Sequence, residues 1–414
     1  MVKLPSSSPQ RCVLCKGSRM LCGRSKCPLL TRWNALLPFT KKELNEDIFG
    51  STPPSFFVGR FNYPRVYAGP MIPPDFGEEV KILDEPDLWF GKPLEIIVNY
   101  RSRLVRSVTP VEVKNPWEDR LFDSTRELVI SSKPIDVEAK FEKPPKIRID
   151  FNANAQPFGP IGKLKVINIS ENPKVERVVD RCVHDYDLKA GSAIISLYEG
   201  GLSVNTIQRI LSAGLLGTKP RRKLVPTRWA ITATDDVTSK FYVNLIKKYP
   251  EIGEYFVFKS SYLDNYFRVI LIPHSWAFEQ LEAWYPGSAW VTGKQPVIVV
   301  DHEFYEGRKS YASNVSGAYY AARLGVTEYL TRIRRQAACV IFREVHGGYT
   351  IPLGVWQIRE NVRQAFKNPP ERFSSLEEAL KASHNGLGIP LQYWVKKSQL
   401  LNFIRNQTKI TTFF

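Results

Sequence analysis

The sequence predicts an α+β protein whose body is a mixed, mainly antiparallel sheet packed with helices. Hydrophobic residues make up 43% of the 414-residue chain and charged residues 24%, which is ordinary for a globular protein with a buried core. Residues 135–141 alternate apolar and polar side chains, as a half-buried antiparallel strand does. Residues 316–335 place apolar side chains at three- and four-residue spacing, which is typical of one buried helix face.

The other elements are predicted from the same two periodicities. Apolar runs predict strands at 94–100, 127–131, 135–141, 147–151, 193–198, 229–234, 254–259, 266–272, 296–300 and 338–345. Helical spacing, with Ser203 as the cap of the first helix, predicts helices at 203–214, 275–284, 316–335, 356–366 and 375–384. The density of Pro and Gly over residues 50–76 predicts a loop.

These elements suggest four parts of the chain. Residues 1–35 are expected to form a small metal-binding module, and residues 396–414 a flexible basic tail. The α+β body between them is divided into 36–215 and 216–395, which can equally form one domain. The chain has no apolar run of membrane-spanning length, and its first residues are not those of a signal peptide, so we expect a cytoplasmic protein with no membrane partner.

Positive charge is in excess and is clustered along the chain. Lys and Arg number 58 against 41 Asp and Glu, a formal charge of +17, which favours a polyanionic partner such as DNA. The stretch 56–67 interleaves arginines with aromatic rings that can stack on bases, although these rings can equally pack beneath an ordered loop. The predicted DNA-binding residues are Arg60, Arg65, Lys219, Arg221, Arg222, Lys223 and Arg228.

Four cysteines lie within 16 residues near the N-terminus. Cys12, Cys15, Cys22 and Cys27 have the spacing C-x2-C-x6-C-x4-C. Four thiolates in a segment too short for a hydrophobic core are typical of one structural zinc ion, whose binding contributes folding free energy. A four-cysteine iron–sulfur cluster is the alternative. Whether this module contacts DNA or only fixes the N-terminus is left open.

The C-terminus carries a peptide motif. Residues 407–414 fit the pattern Q-x-x-I-x-x-F-F of peptides that bind the sliding clamp PCNA. One helical turn would bring Ile410, Phe413 and Phe414 to the same side, as an apolar plug for a pocket, with Gln407 one turn earlier. The alternative is that this tail folds back onto the body.

Motifs along the whole chain resemble the archaeal Nre family of DNA repair proteins. Beyond the four cysteines and the terminal peptide, the matching stretches are Gly59–Arg60 with Tyr63–Pro64, Glu306–Arg308 with Tyr311–Ala312, Tyr319–Leu324, Arg335–Ala337 and Pro352–Trp356 with Arg359–Glu360. The resemblance implies repair of damaged DNA, clamp recruitment through the terminal peptide and metal binding by the cysteines. It does not supply a catalytic mechanism.

Candidate catalytic residues follow the apolar run 297–300. Asp301, His302, Glu306 and Arg308 are acidic, imidazole and cationic side chains near the end of a predicted strand, where metal or acid–base sites often lie. Neighbouring side chains on a strand point to opposite faces, so a surface loop explains them with fewer assumptions.

Three hypotheses of function follow. The protein is either a non-catalytic repair factor that binds DNA and the clamp at the nucleoid, or a clamp-recruited metal-dependent nuclease or other nucleotide-processing enzyme. The third is a damage sensor that binds a small nucleotide. The first is favoured, because no recognised catalytic motif is present. Asp301→Asn or Glu306→Gln would abolish activity only under the enzyme hypothesis.

Overall fold

In the computed structural model, the chain divides into two compact units. The N-proximal unit comprises Pro28–Phe151 and Ala155–Thr238, and the C-proximal unit comprises Met1–Cys27, Asn152–Asn154 and Ser239–Phe414. The predicted boundary at 215/216 falls inside the N-proximal unit. The structure describes residues 12, 14–22, 24, 26–41, 44–114, 120–148, 156–286, 288 and 295–406.

The N-proximal unit combines two small sheets with helices. Its strands are β1 (Asp47–Thr52), β2 (Phe56–Val58), β3 (Arg65–Ile72), β4 (Val105–Ser107), β5 (Thr109–Glu112), β6 (Ile135–Phe141), β7 (Ile161–Gly162) and β8 (Leu164–Ile169). Its helices are α1 (Pro28–Lys41), α2 (Leu94–Arg103), α3 (Arg120–Ile130), α4 (Arg177–His184), α5 (Ala190–Glu199) and α6 (Val204–Ser212). The long helix α7 (Thr227–Ile246) begins in this unit and ends in the C-proximal one.

The strands of both sheets in this unit pair antiparallel, except for the parallel pair β4–β7. One has the order β1-β6-β8, and the other has the order β2-β3-β4-β7 with β5 also paired to β3. In β6, Ile135, Val137, Ala139 and Phe141 are buried and the residues between them are exposed, as the alternation predicts. These side chains join one continuous apolar core with the helices α4, α5 and α6.

The C-proximal unit is built on one six-stranded sheet. Its strands are β9 (Tyr255–Tyr262), β10 (Asn265–Ile272), β11 (Ala277–Trp284), β12 (Val297–Glu303), β13 (Ala338–Val345) and β14 (Glu371–Phe373). Its helices are α8 (Gly317–Ile333), α9 (Trp356–Ala365), α10 (Leu376–His384), α11 (Leu391–Lys397) and α12 (Gln399–Asn406). The strand order is β12-β11-β13-β10-β9-β14, antiparallel except for the parallel pair β11–β13.

This sheet is covered by helices on both faces. Alternate residues of β10 belong to different cores: Val269 packs in the core formed with α8 and α9, whereas Ile270 packs in the core formed with α10, α11 and α12. Because both faces are buried, β13 is apolar along most of its length and buried throughout.

Buried charges in this sheet have partners. Glu303 and Arg323 form an ion pair of 2.6 Å with both side chains 1% exposed, and the Trp276 indole donates to Glu303 at 3.2 Å. Glu279 accepts hydrogen bonds from the amides of Gln399 and Leu400, at 2.7 and 3.3 Å, and so caps α12. Burial raises the pKa of Glu279 to about 7, against the opposing effect of these hydrogen bonds.

The prediction of an α+β body with mainly antiparallel sheets is confirmed. The strands at 135–141, 254–259, 266–272, 296–300 and 338–345 are also confirmed, as are the helices at 203–214, 316–335, 356–366 and 375–384. Ser203 caps α6 as predicted, accepting from the Thr206 amide at 3.1 Å. Part of the predicted strand 147–151 lies outside the described residues.

Several element types were predicted wrongly. The strands predicted at 94–100, 127–131, 193–198 and 229–234 lie in helices α2, α3, α5 and α7, and the helix predicted at 275–284 is strand β11. A short apolar run fits both the two-residue period of a strand and the 3.6-residue period of a helix. In α2, for example, Leu94, Ile97 and Val98 share a buried helix face. β11 carries good helix formers but lies in the middle of a sheet, where tertiary pairing overrides propensity.

The prediction of a loop at 50–76 was also wrong, because this stretch contains β2, β3 and the end of β1. The glycines and prolines of this stretch lie within or beside paired strands. Among the described residues, none of the helices has the length and apolar composition needed to cross a membrane.

Candidate nucleic-acid interface

A hairpin on the N-proximal unit exposes aromatic and basic side chains. The turn between β2 and β3 closes with a hydrogen bond of 3.0 Å from the Arg65 amide to the Asn62 carbonyl, and Asn62 adopts a positive φ of 63°. Asn tolerates this conformation better than most residues. The turn leaves Phe61 74% exposed and Tyr63 38% exposed, with Arg60 and Arg65 also at the surface.

Backbone hydrogen bonds fix this hairpin beside the basic segment 219–228. The Val113 amide donates to the Pro64 carbonyl at 3.1 Å, and the Leu224 amide donates to the Val113 carbonyl at 2.9 Å. Lys114 and Lys223 form an isolated antiparallel bridge. Two stretches far apart in sequence therefore lie side by side on one surface.

An aromatic pair lies where these two stretches meet. The rings of Tyr63 and Trp229 have their centroids 5.1 Å apart with a tilt of 53°. Trp229, in the first turn of α7, is 45% exposed. The Lys223 ammonium lies 5.9 Å from the Tyr63 ring centroid and donates to its hydroxyl at 3.2 Å. The pair thus presents exposed aromatic surface beside a positive charge.

A second cation–aromatic group surrounds Tyr186, which is 40% exposed. The Arg222 guanidinium lies 4.5 Å from the centre of its ring, and the Lys219 ammonium 5.9 Å from it. Arg126 donates to the Tyr186 hydroxyl at 3.3 Å. This hydrogen bond is the largest cause of a lowered pKa of Tyr186, with smaller contributions from the neighbouring positive charges.

The predicted DNA-binding residues differ in how they are held. Arg222 donates to the carbonyls of Gly217, Val183 and Asp185 at 2.7, 2.7 and 3.0 Å, and burial lowers its pKa. It therefore ties its own segment, 217–222, to the end of α4 at residues 183–185. Arg65 lies opposite Glu112 in the backbone register of β3 and β5. All the predicted residues except Arg222 have exposed side chains: Arg60, Arg65, Lys219, Arg221, Lys223 and Arg228.

This surface, the basic–aromatic surface, is defined by Arg60, Tyr63, Arg65, Tyr186, Lys219, Arg221, Lys223, Arg228 and Trp229. Its cations can neutralise phosphates and its rings can contact bases. The cations and the aromatic stretch 56–67 were predicted from the sequence, whereas Tyr186 and Trp229 were not. Trp229 directly follows Arg228 in the sequence, which was a signal for it, whereas Tyr186 is distant in the sequence and meets Lys219 and Arg222 only through the fold.

The four cysteines belong to the described residues, but their geometry does not establish a metal centre. Within the described ranges, no group of three or more His, Cys, Asp or Glu side chains is positioned to hold a metal ion. Cys15 Sγ accepts from the Leu21 amide at 3.4 Å, and this is the largest cause of a lowered pKa of the Cys15 thiol. Arg24 is buried, which lowers its pKa, while charges on Cys22, Cys12 and Cys27 oppose that effect.

The four candidate catalytic residues are only partly brought together. Asp301 and Arg308 form an ion pair of 3.2 Å, and Asp301 also accepts from the amides of Asn314 and Val315 at 2.9 and 2.7 Å. These contacts hold the segment that follows β12. Burial and the Arg308 charge lower the pKa of His302, whereas Glu306 is exposed.

The strand geometry explains why these side chains do not all converge. In β12, Asp301 and Glu303 are buried, while His302 between them is half-buried and its ring contacts Phe304. Arg308 donates to the carbonyls of His302, Ser310 and Tyr311. Each of these contacts supports the loop. A catalytic role for the four residues stays a prediction.

The predicted clamp-binding residues Gln407, Ile410, Phe413 and Phe414 lie outside the described residues. The chain before them is described to residue 406, where helix α12 ends. Arg405, near the end of this helix, donates to Glu377 of α10 at 2.7 Å. The helix that precedes the peptide is therefore anchored to the C-proximal unit at both of its ends, by Glu279 and by this ion pair.

The α+β fold thus presents exposed cations and exposed aromatic rings on one surface. Sequence profiles of the archaeal Nre family match most of the chain, the N-terminal profile over residues 21–291 and the C-terminal profile over residues 303–413. The chain therefore belongs to the archaeal Nre family, as its motifs indicated.

Three relatives cover most of the chain. DNA repair protein NreB of Archaeoglobus fulgidus is 40% identical over 397 residues, 96% of this chain and 98% of that protein. DNA repair protein NreA of the same organism is 37% identical over 98% of both chains. DNA repair protein NreA of Haloferax volcanii is 33% identical, covering 87% of this chain and 88% of its own. No solved structure matches this chain.

Proposed function

We propose that this protein is a DNA repair factor that binds DNA through the basic–aromatic surface and is recruited by the sliding clamp. Three relatives that cover most of the chain bear the name DNA repair protein. A chain with a formal charge of +17 is suited to a polyanionic partner at the nucleoid.

The observation that carries the DNA-binding part is the meeting of two basic stretches on one surface. The hairpin 60–65 and the segment 219–228 are joined through Val113 by backbone hydrogen bonds. Their exposed cations lie next to exposed rings, a combination suited to both phosphates and bases. A basic surface kept for solubility alone would not need the aromatic side chains.

Clamp recruitment rests on the terminal peptide. Gln407, Ile410, Phe413 and Phe414 match the clamp-binding pattern in register, and aromatic anchors dominate the affinity of such interfaces. Replacing both Phe413 and Phe414 with Ala should abolish clamp binding measured by calorimetry, and leave the unfolding transition unchanged. An unchanged affinity for the clamp would contradict this part of the proposal.

We also propose that Cys12, Cys15, Cys22 and Cys27 bind one structural zinc ion. The donor set suits zinc, which favours four thiolates, and the amide hydrogen bonds that lower the pKa of Cys15 favour its thiolate form. Zinc would supply folding free energy to the N-terminal segment. A brown protein with visible absorption would instead indicate the iron–sulfur alternative.

A direct test uses the purified full chain with labelled intact, nicked, branched and chemically damaged DNA. Magnesium and manganese are included, with and without the clamp, and the products are resolved on a denaturing gel. The proposal predicts salt-sensitive retention of DNA without new products. Absence of DNA binding at low salt would overturn it.

The same assay tests the enzyme alternative. Discrete products that disappear in Asp301→Asn or Glu306→Gln would identify a clamp-recruited nuclease with its site at these residues. The structure gives Asp301 three contacts that hold the loop after β12, so Asp301→Asn also needs an unfolding measurement. Glu306 is exposed, and its substitution separates a chemical role from loss of stability.

A further inference from the structure

The pair Tyr63–Trp229 has more exposed ring surface than packing of the two rings requires. Both side chains are more than one-third exposed, although the rings are in contact at 5.1 Å. Phe61 on the same hairpin is 74% exposed. Single exposed aromatic residues are common on protein surfaces, but a group of them on a basic surface marks an interaction site.

We infer that Tyr63 and Trp229 form a stacking platform for unpaired nucleobases of DNA, an inference that rests on the proposed DNA binding. An aromatic ring stacks on the π-face of any base, so such a platform needs no particular sequence. The Lys223 ammonium beside Tyr63, and the exposed Arg228 next to Trp229 in the chain, provide positive charge for the adjoining phosphates.

Geometry distinguishes unpaired from paired DNA. In a duplex the base faces are stacked on one another, and the outside presents phosphates, sugars and base edges. The cations of the surface therefore bind either form, whereas the Tyr63 and Trp229 rings gain contacts when bases are unstacked. This provides a way for a repair factor to favour single-stranded or distorted DNA, because a damaged base is unstacked at lower cost than an intact one.

The hairpin and helix hold the two rings in place. Tyr63 lies in the turn closed between Asn62 and Arg65, and its hydroxyl accepts from Lys223. Trp229 lies in the first turn of α7, and its amide donates to the Pro226 carbonyl at 2.7 Å. Rings fixed before binding lose less conformational entropy when a base stacks on them.

The experiment compares the affinity of the full chain for oligothymidylate with its affinity for a blunt duplex of equal length, by fluorescence anisotropy. Tyr63→Ala and Trp229→Ala should each weaken oligothymidylate binding by between about 5-fold and about 150-fold, the usual effect of losing one stacked base. Duplex affinity should stay at the native value, and so should the salt dependence of oligothymidylate binding. Tyr63→Phe and Trp229→Phe keep a ring and should retain most of the affinity.

Two controls make the result specific. Tyr393→Ala removes a ring that is 41% exposed on α11 of the C-proximal unit, and should leave both affinities unchanged. Unfolding curves of all variants identify any loss of fold. Oligothymidylate should quench tryptophan fluorescence in the native chain more than in Trp229→Phe, although the chain has nine tryptophans.

The outcomes separate this inference from the proposed function. If the alanine variants bind oligothymidylate as tightly as Tyr393→Ala does, while the native chain binds duplex, the stacking platform is refuted and DNA binding stands. If the variants lose duplex and oligothymidylate binding equally, the rings do not distinguish unpaired bases and the inference also fails. If the native chain binds neither, the proposed function itself fails.

Discussion

Removing positive charge from the segment 219–228 should lower the salt dependence of duplex binding in proportion to the charge removed. Lys219, Arg221, Lys223 and Arg228 are exposed on the basic–aromatic surface. If each contacts one phosphate, its replacement by Ala reduces the slope of log affinity against log salt by about 0.9, or about 3.6 for all four. When salt is raised from about 50 to about 200 mM, the fold-reduction in duplex affinity should then be about 150 times smaller for the quadruple variant than for the native chain.

The assay is fluorescence anisotropy of a labelled duplex over a range of salt concentrations, with the full chain. Arg222→Lys is the matched control, because it keeps the charge but cannot reproduce the guanidinium bonds to Gly217, Val183 and Asp185. It should lower the unfolding temperature and leave the slope unchanged. A quadruple variant with the native salt dependence would refute the inference that these four residues contact phosphates.

Three further predictions concern stability and metal content. Burial raises the pKa of Glu279 to about 7. The folded chain therefore binds a proton at this carboxylate more tightly than the unfolded chain does. As a result, the free energy of unfolding should rise by up to about 3 kcal/mol as pH falls from about 8 to about 5. In Glu279→Gln, the free energy of unfolding from chemical denaturation should no longer change with pH in this way. The same pH dependence in this variant as in the native chain would contradict the role given to Glu279. Arg323→Met leaves Glu303 buried without its cation and should lower the free energy of unfolding by about 3 to 5 kcal/mol. Adding Glu303→Leu should recover part of this loss. Equal losses in the single and double variants, measured by chemical denaturation, would contradict the ion pair. Elemental analysis should find one zinc per chain, lost when Cys12 and Cys15 are both replaced by Ser; unchanged zinc in that variant would reject these ligands.

The parts of the fold that could be predicted are those with a regular and long pattern. β6 and α8 were found because seven residues of strict alternation, or five turns of helical spacing, are incompatible with the other period. Short apolar runs lack that information: 193–198 fits a strand, but Ala193, Ile194 and Leu197 are buried on one face of α5. β11 is a helix-forming sequence held extended by two neighbouring strands.

The candidate site also contains residues that could be predicted from the sequence and residues that could not. The cations of the interface were visible as runs in the sequence, because charge is a property of composition. The pairing of Tyr63 with Trp229 was not visible, since the two residues are 166 positions apart and meet only through the fold. The role of Arg222 could not be predicted either, because its carbonyl partners Val183 and Asp185 are distant in the sequence and are brought to it only by the fold.

The most direct test of recruitment by the clamp is retention of the full chain on circular DNA that carries loaded clamp. The account predicts that the native protein is retained on the circle and is released when the circle is linearised, since the clamp then slides off. The Phe413→Ala, Phe414→Ala double variant should bind free DNA with native affinity but show no clamp-dependent retention. Equal retention of the double variant and the native protein would contradict the account.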